Sequence, residues 1–173
     1  MLNLTLNAYN LPYPMPLHSI AVHFVIAMVV VAAVFDVVGY FSGQQRFFNL
    51  GWWNLVIATI AIILAVGLGQ FEAAIAVPSQ GTQPTLDRHM AIGWLLLLIL
   101  INLTLWRAVL RYHPKFPFSL FFLGTSALTV ALVFYQVFLG TQLVWVHGLH
   151  VKPVIEARRL EAGKLEALEN ELY

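Results

Sequence analysis

Four stretches of nearly unbroken hydrophobic residues divide the chain: Ser19 to Phe41, Trp52 to Ala76, Met90 to Leu110, and Phe118 to about His147. A helix rising about 1.5 Å per residue needs about 20 residues to cross about 30 Å of hydrocarbon, so the pattern predicts four membrane-spanning helices. The fourth exceeds that length and is expected to tilt or project into water. The polar breaks are short, Ser42 to Gly51, Val77 to Arg88, and a segment with Arg111, Pro114, Lys115 and Pro117. Connections of this length force an up-down order, with both termini on one side. The fold class expected is therefore an all-α membrane protein, a four-helix up-down bundle. Ahead of it, Pro12, Pro14 and Pro16 each lack a backbone donor, which predicts an extended arm over residues 1–18. Behind the transmembrane domain (19–152), Leu165, Leu168 and Leu172 recur at helical spacing among charges. This predicts an amphipathic helix outside the bilayer over residues 153–173, either a docking element or a solvated end lying on the bundle or on headgroups. The first span has no positive leading segment and continues into Asp36 and Tyr40, so it is expected to be retained rather than cleaved.

Composition agrees: 60% of residues are hydrophobic and 10% charged, where a soluble domain has about 45–50% and about 25%. Nine Lys and Arg against eight Asp and Glu leave a formal charge of +1, no field for gathering phosphates, and nucleic-acid binding is excluded. With no cysteine, disulfides, thiolate metal sites and covalent haem attachment are impossible, so a cofactor would be held by His, carboxylates, amides or packing. Arg46, Arg107, Arg111 and Lys115 lie toward the two short loops, against Arg88 and Lys152 on the other side. That bias favours cytoplasmic short loops and termini on the periplasmic or lumenal side. An aromatic belt accounts for Trp52, Trp53, Trp94, Trp106 and Trp145 without any ligand.

Ionisable residues within spans are costly and are the first functional candidates. The up-down order puts His18, His23, His89, His147 and His150 on the side of the termini, and His113 opposite. A lone interfacial histidine is most often satisfied by a loop carbonyl or a headgroup. Five together raise the other reading, a pair of neutral imidazoles on facing helices ligating a metal or haem iron. His23 lies about 7.5 Å deeper than His18 at helical rise and about 140° around the helix, so both cannot point at one iron if the helix includes His18. The expected ligands are therefore His23 and His147, approaching across helices one and four, with His89 nearby and His18 and Arg88 as further cofactor contacts. Glu72 and Arg88 are expected either to orient the ligands or to form an interfacial ion pair. Gly67 and Gly69 leave a bare turn for close helix packing or a flat macrocycle. Asp36, on the far side, is expected to pair with Tyr40, Arg107 or Arg111. Asn54 and Asn102 are expected to hydrogen-bond between helices.

Pro16-Leu-His18-Ser-Ile-Ala-Val-His23-Phe24-Val with Phe35-Asp36, Arg88-His89 before the third span, and Leu143-Val-Trp-Val-His147-Gly148-Leu-His-Val151 at the end of the fourth form a set. This set resembles a bacterial and cyanobacterial four-span membrane family of unknown function, over about residues 12 to 152. Ser19 and Val25 stand where that family has proline, so helix one is expected to start earlier and run straighter. Relatives that carry Rieske-type or cytochrome-like domains on the same four spans imply membrane electron transfer, in a bacterial inner membrane or a cyanobacterial thylakoid. The expected function is a redox protein holding a b-type haem or similar macrocycle near one membrane face. The alternative is a non-catalytic accessory or assembly subunit of a larger respiratory or photosynthetic complex. A proton path through Asp36 and the histidines lacks the polar stripe it would need, and no hydrolase or nucleotide motif is present.

Overall fold

The computed structural model describes residues 17–76, 78, 80–112, 119–149, 160, 161, 163 and 164. The proline arm, His113, Lys115, His150, Lys152 and most of the tail lie outside the described residues; of the tail, Leu160, Glu161, Gly163 and Lys164 are described, all helical. Four helices make up the bundle: α1 (Leu17–Ser42), α2 (Gln45–Ile75), α3 (Gln83–Tyr112) and α4 (Leu120–Trp145). All four are long and apolar enough to cross a bilayer. Each helix packs on its sequence neighbours, α1 on α2 most closely, and α4 closes the ring against α1. Helices α1 and α3 are thus diagonal partners that run parallel, with no backbone approach. Helix α1 begins at Leu17, earlier than Ser19, as the missing proline implied.

The turns carry the local signals that stop helices. Gly43 adopts φ 66° after α1, and its amide donates to the Gly39 carbonyl at 2.9 Å, a left-handed helix stop that glycine takes without strain. Gly148, at φ 62°, ends α4 in the same way and donates to Val144 at 3.0 Å. The Ser119 hydroxyl caps α4 by accepting from the Phe122 amide at 3.3 Å.

On α1 the buried positions Val25, Val29, Ala32, Asp36 and Gly39 alternate at four- and three-residue spacing, the stripe of a left-handed bundle. They meet Leu55, Ala58, Ile62 and Ala65 from α2, Leu96, Leu100 and Leu103 from α3, and Phe122 and Val133 from α4. Lipid tails are as apolar as this core, so packing and interhelical hydrogen bonds, rather than expulsion of water, hold the helices together. Thr59 of α2 and Thr104 of α3 supply one such bond at 2.7 Å. Thr59→Val is expected to lower stability by about 0.6 kcal/mol, the typical size of an interhelical polar contact in a membrane, read from a denaturation midpoint.

Asn54 and Asn102 do not bridge helices. Each donates to its own helix, to the Leu50 and Leu98 carbonyls, both at 2.8 Å. A carbonyl one turn back lies within reach of an asparagine amide, so within the bundle one amide hydrogen of each is satisfied without a neighbouring helix.

Candidate functional site: two polar poles on one axis

Polar side chains meet across the α1–α3 diagonal at both ends of the bundle. At the terminal end, His18 of α1 faces His89 of α3, ring centroids 6.2 Å apart and planes at 78°. At the loop end, Asp36 of α1 forms a buried ion pair with Arg107 of α3. Both pairs are separated by the same offset, 36 − 18 and 107 − 89, eighteen residues. Eighteen residues make five turns of about 3.6, about 27 Å, so on each helix the two polar groups lie on one face. Between them the diagonal is filled by Val25, Val29, Leu96 and Leu100, an apolar layer that keeps the poles apart.

His18 is held from three sides. Its Nδ1–H donates to the Ala65 carbonyl of α2 at 2.8 Å, and its backbone amide donates to the Glu72 carboxylate at 3.3 Å. The amide is one of the unbonded donors at a helix start, where a carboxylate is also favoured by the helix dipole. The ring lies against Gly69: a Cβ there would meet Cε1 and Nδ1 of His18 at 2.9 Å. Gly69 is thus filled by an imidazole, while Gly67 is exposed and has nothing within 4 Å of a Cβ position. His89 lies against Gly140 of α4, a Cβ there falling 3.2 Å from its Cε1. The Gln136 amide donates to the His89 carbonyl at 2.9 Å, while His89 Nδ1 and Gln136 Oε1 are buried without partners. All four helices therefore shape the pocket of this pair.

The other histidines are arranged differently. His23 is exposed on α1, and its Nδ1 bonds the Ser19 carbonyl of its own helix at 2.6 Å. His147, aimed back by the turn at Gly148, bonds the Thr85 hydroxyl of α3 at 3.3 Å. Thus the pair that the structure brings ring to ring is His18 and His89. The signal in the sequence was the shared offset to Asp36 and Arg107, not depth. Arg88 is exposed and forms no ion pair with Glu72; that expectation is corrected by Glu72 turning to the first turn of α1. Among the described residues no three His, Asp or Glu side chains gather as a closed metal-ion site requires.

At the far pole Arg107 also donates to the Phe48 carbonyl of α2 at 2.8 Å and lies 5.4 Å from the Phe122 ring centroid of α4. Helix α2 admits the pair at Gly51, where a Cβ would lie 3.0 Å from Asp36 Cγ and 3.1 Å from Arg107 Nη2. The second carboxylate oxygen, Oδ1, is buried without a partner, and Asp36 lines a cavity of about 10 Å³ with Ser126 and Thr129. That is about the room one water molecule takes. Arg111 instead reaches Asn49 at 2.7 Å. Because Arg107 is neutralised inside the bundle, the loop-side charge bias rests on Arg46, Arg111 and Lys115.

Neither the curated proteins nor the solved structures hold a match to the chain. A family model described as a predicted membrane protein, DUF2231, matches residues 14–153, the whole four-helix region. The chain belongs to this family of membrane proteins.

Proposed function

We propose that the chain is an integral membrane redox protein that holds a His-ligated cofactor, a b-type haem or similar macrocycle, at the terminal end of the bundle. His18 and His89 are the foremost donors of the cofactor-binding group that also includes His23, His147 and Arg88. The observation that carries this reading is a pair of imidazoles from facing helices, with no third His, Asp or Glu gathered beside them among the described residues. Zinc sites take three or four protein ligands, whereas an iron already held by a macrocycle takes two. The Nδ1–H bond of His18 to Ala65 leaves Nε2 with its lone pair, the tautomer and orientation a metal requires. The donor set fits. The rings themselves fill the space between α1 and α3, so a macrocycle enters only as they part.

The test is a reduced-minus-oxidised spectrum of the full-length protein after haem-replete expression. A Soret band and a reducible alpha band are expected, with His18→Ala and His89→Ala each abolishing or shifting them, because low-spin bis-His iron loses an axial ligand. Gly69→Val, which displaces the His18 ring, is expected to act like His18→Ala. Sensitivity to His23→Ala and His147→Ala instead moves the ligands to that pair. A colourless preparation that co-purifies with a larger respiratory or photosynthetic assembly decides for the accessory-subunit alternative.

A further inference from the structure

Helix α3 carries a second stripe, on its outer side. Ala91, Leu95, Leu98, Asn102, Leu105 and Val109 are all exposed, at alternating four- and three-residue spacing. Such spacing alone is what a lipid-facing helix shows; the outer face of α2, with Trp53, Ile57, Ile60 and Leu64, has it too. What lipid does not explain is Asn102. It lies two residues past the middle of the apolar run Met90 to Leu110, about 3 Å from the centre of the hydrocarbon. One amide hydrogen goes to the Leu98 carbonyl; the other hydrogen and Oδ1 have no partner among the described residues, on a surface where hydrocarbon offers none. An amide left unsatisfied in hydrocarbon is unfavourable. Asn54, by comparison, sits beside Trp52 and Trp53, two residues into the apolar run Trp52 to Ala76, the level at which an aromatic belt meets headgroups and water.

We propose that this stripe is the contact of a parallel homodimer, α3 against α3 of a second copy, with the two Asn102 amides hydrogen-bonded to each other across the two-fold axis. The occupant follows from the chemistry and from the membrane. All copies insert with the same orientation, so a symmetric pair has its axis along the bilayer normal, α3 runs parallel to its partner, and each residue meets itself. A carboxamide is both donor and acceptor and therefore complements its own image. In heptad terms Leu95, Asn102 and Val109 fall at a and Ala91, Leu98 and Leu105 at d. A single asparagine at a, flanked at d by Leu98 and Leu105, selects two parallel strands in one register. The proposal is independent of the histidine site, which faces the bundle interior.

The chain contains no cysteine, so single cysteines report without background. In full-length protein reconstituted into phosphatidylcholine–phosphatidylglycerol vesicles, Leu98→Cys and Leu105→Cys are expected to give disulfide-linked dimers on mild oxidation. Ile60→Cys, exposed on α2 at the depth where Thr59 meets Thr104, is expected not to. Energy transfer between labelled copies, followed over a range of protein-to-lipid ratios, should show Asn102→Leu lowering the dimerisation constant about tenfold and Asn102→Gln retaining most of it, since an interhelical polar contact in lipid reaches about 1–2 kcal/mol. Asn102 lies outside the bundle, so helical circular dichroism of the variants should match the parent. A monomeric parent, cross-linking at Ile60→Cys equal to that on α3, or an Asn102→Leu variant that pairs as well as the parent would each overturn the proposal.

Discussion

Replacing Asp36 with alanine will destabilise the bundle by about 3–5 kcal/mol, the cost of removing one partner from a buried ion pair. Both side chains are almost wholly enclosed, Asp36 at 2% and Arg107 at 3% exposure. The substitution leaves the guanidinium without its carboxylate among Phe48 and Phe122. Arg107→Ala should cost a similar amount, for the mirror-image reason. Replacing both at once, Asp36→Leu with Arg107→Met, should recover most of the loss, because the pair's attraction largely offsets its own desolvation. Unfolding in mixed micelles, followed by circular dichroism, reads all four proteins. An Asp36→Ala variant within about 1 kcal/mol of the parent would mean that the pair does not hold the helices.

The second large effect is expected one helix away, at a residue with no polar atom in its side chain. Gly51→Ala places a Cβ on rigid α2 backbone against Asp36 and Arg107, with 3.0 Å to Asp36 Cγ. Overpacking of this kind costs about 1–3 kcal/mol. Here the displaced atoms belong to an ion pair whose geometry is also disturbed, so the upper part of that range is expected. The diagnostic is the background. In Asp36→Ala the obstructing carboxylate is gone, and Gly51→Ala should become nearly neutral, a coupling of about 2 kcal/mol between two contacting sites. Simple additivity in the double mutant would show that Gly51 matters for some reason other than space.

The four helices were legible because long apolar runs allow little else in a bilayer. Their ends were not. Helix α2 starts at Gln45 rather than Trp52, and α3 at Gln83 rather than Met90, since hydropathy marks the hydrocarbon whereas backbone hydrogen bonding continues through the headgroups into water. Asp36 and Arg107 were legible as partners: a carboxylate buried that deep requires a cation, and Arg107 lay at the same depth. The histidines show what depth alone misses. Depth pointed to His23, but a helix that begins at Leu17 turns His18 inward and His23, about 140° away, outward. The cost of burying a group says that a partner is required, not which face it lies on. Periodicity supplies the face, and the matching offsets on α1 and α3 were the pattern that carried it.

Those matching offsets also fix which segments of the chain tolerate a change of length. One residue inserted into α1 between His18 and Asp36 would rotate one pole by about 100° against the other and slide it about 1.5 Å. Eleven residues would nearly restore the angle but move the pole about 16 Å. Helix α3, its counterpart rail, could follow only by acquiring the same insertion at the same level. Length variation should therefore be admitted in the connections outside these two intervals, and in the arm and the tail, while the seventeen residues inside each interval behave as a fixed-length spacer.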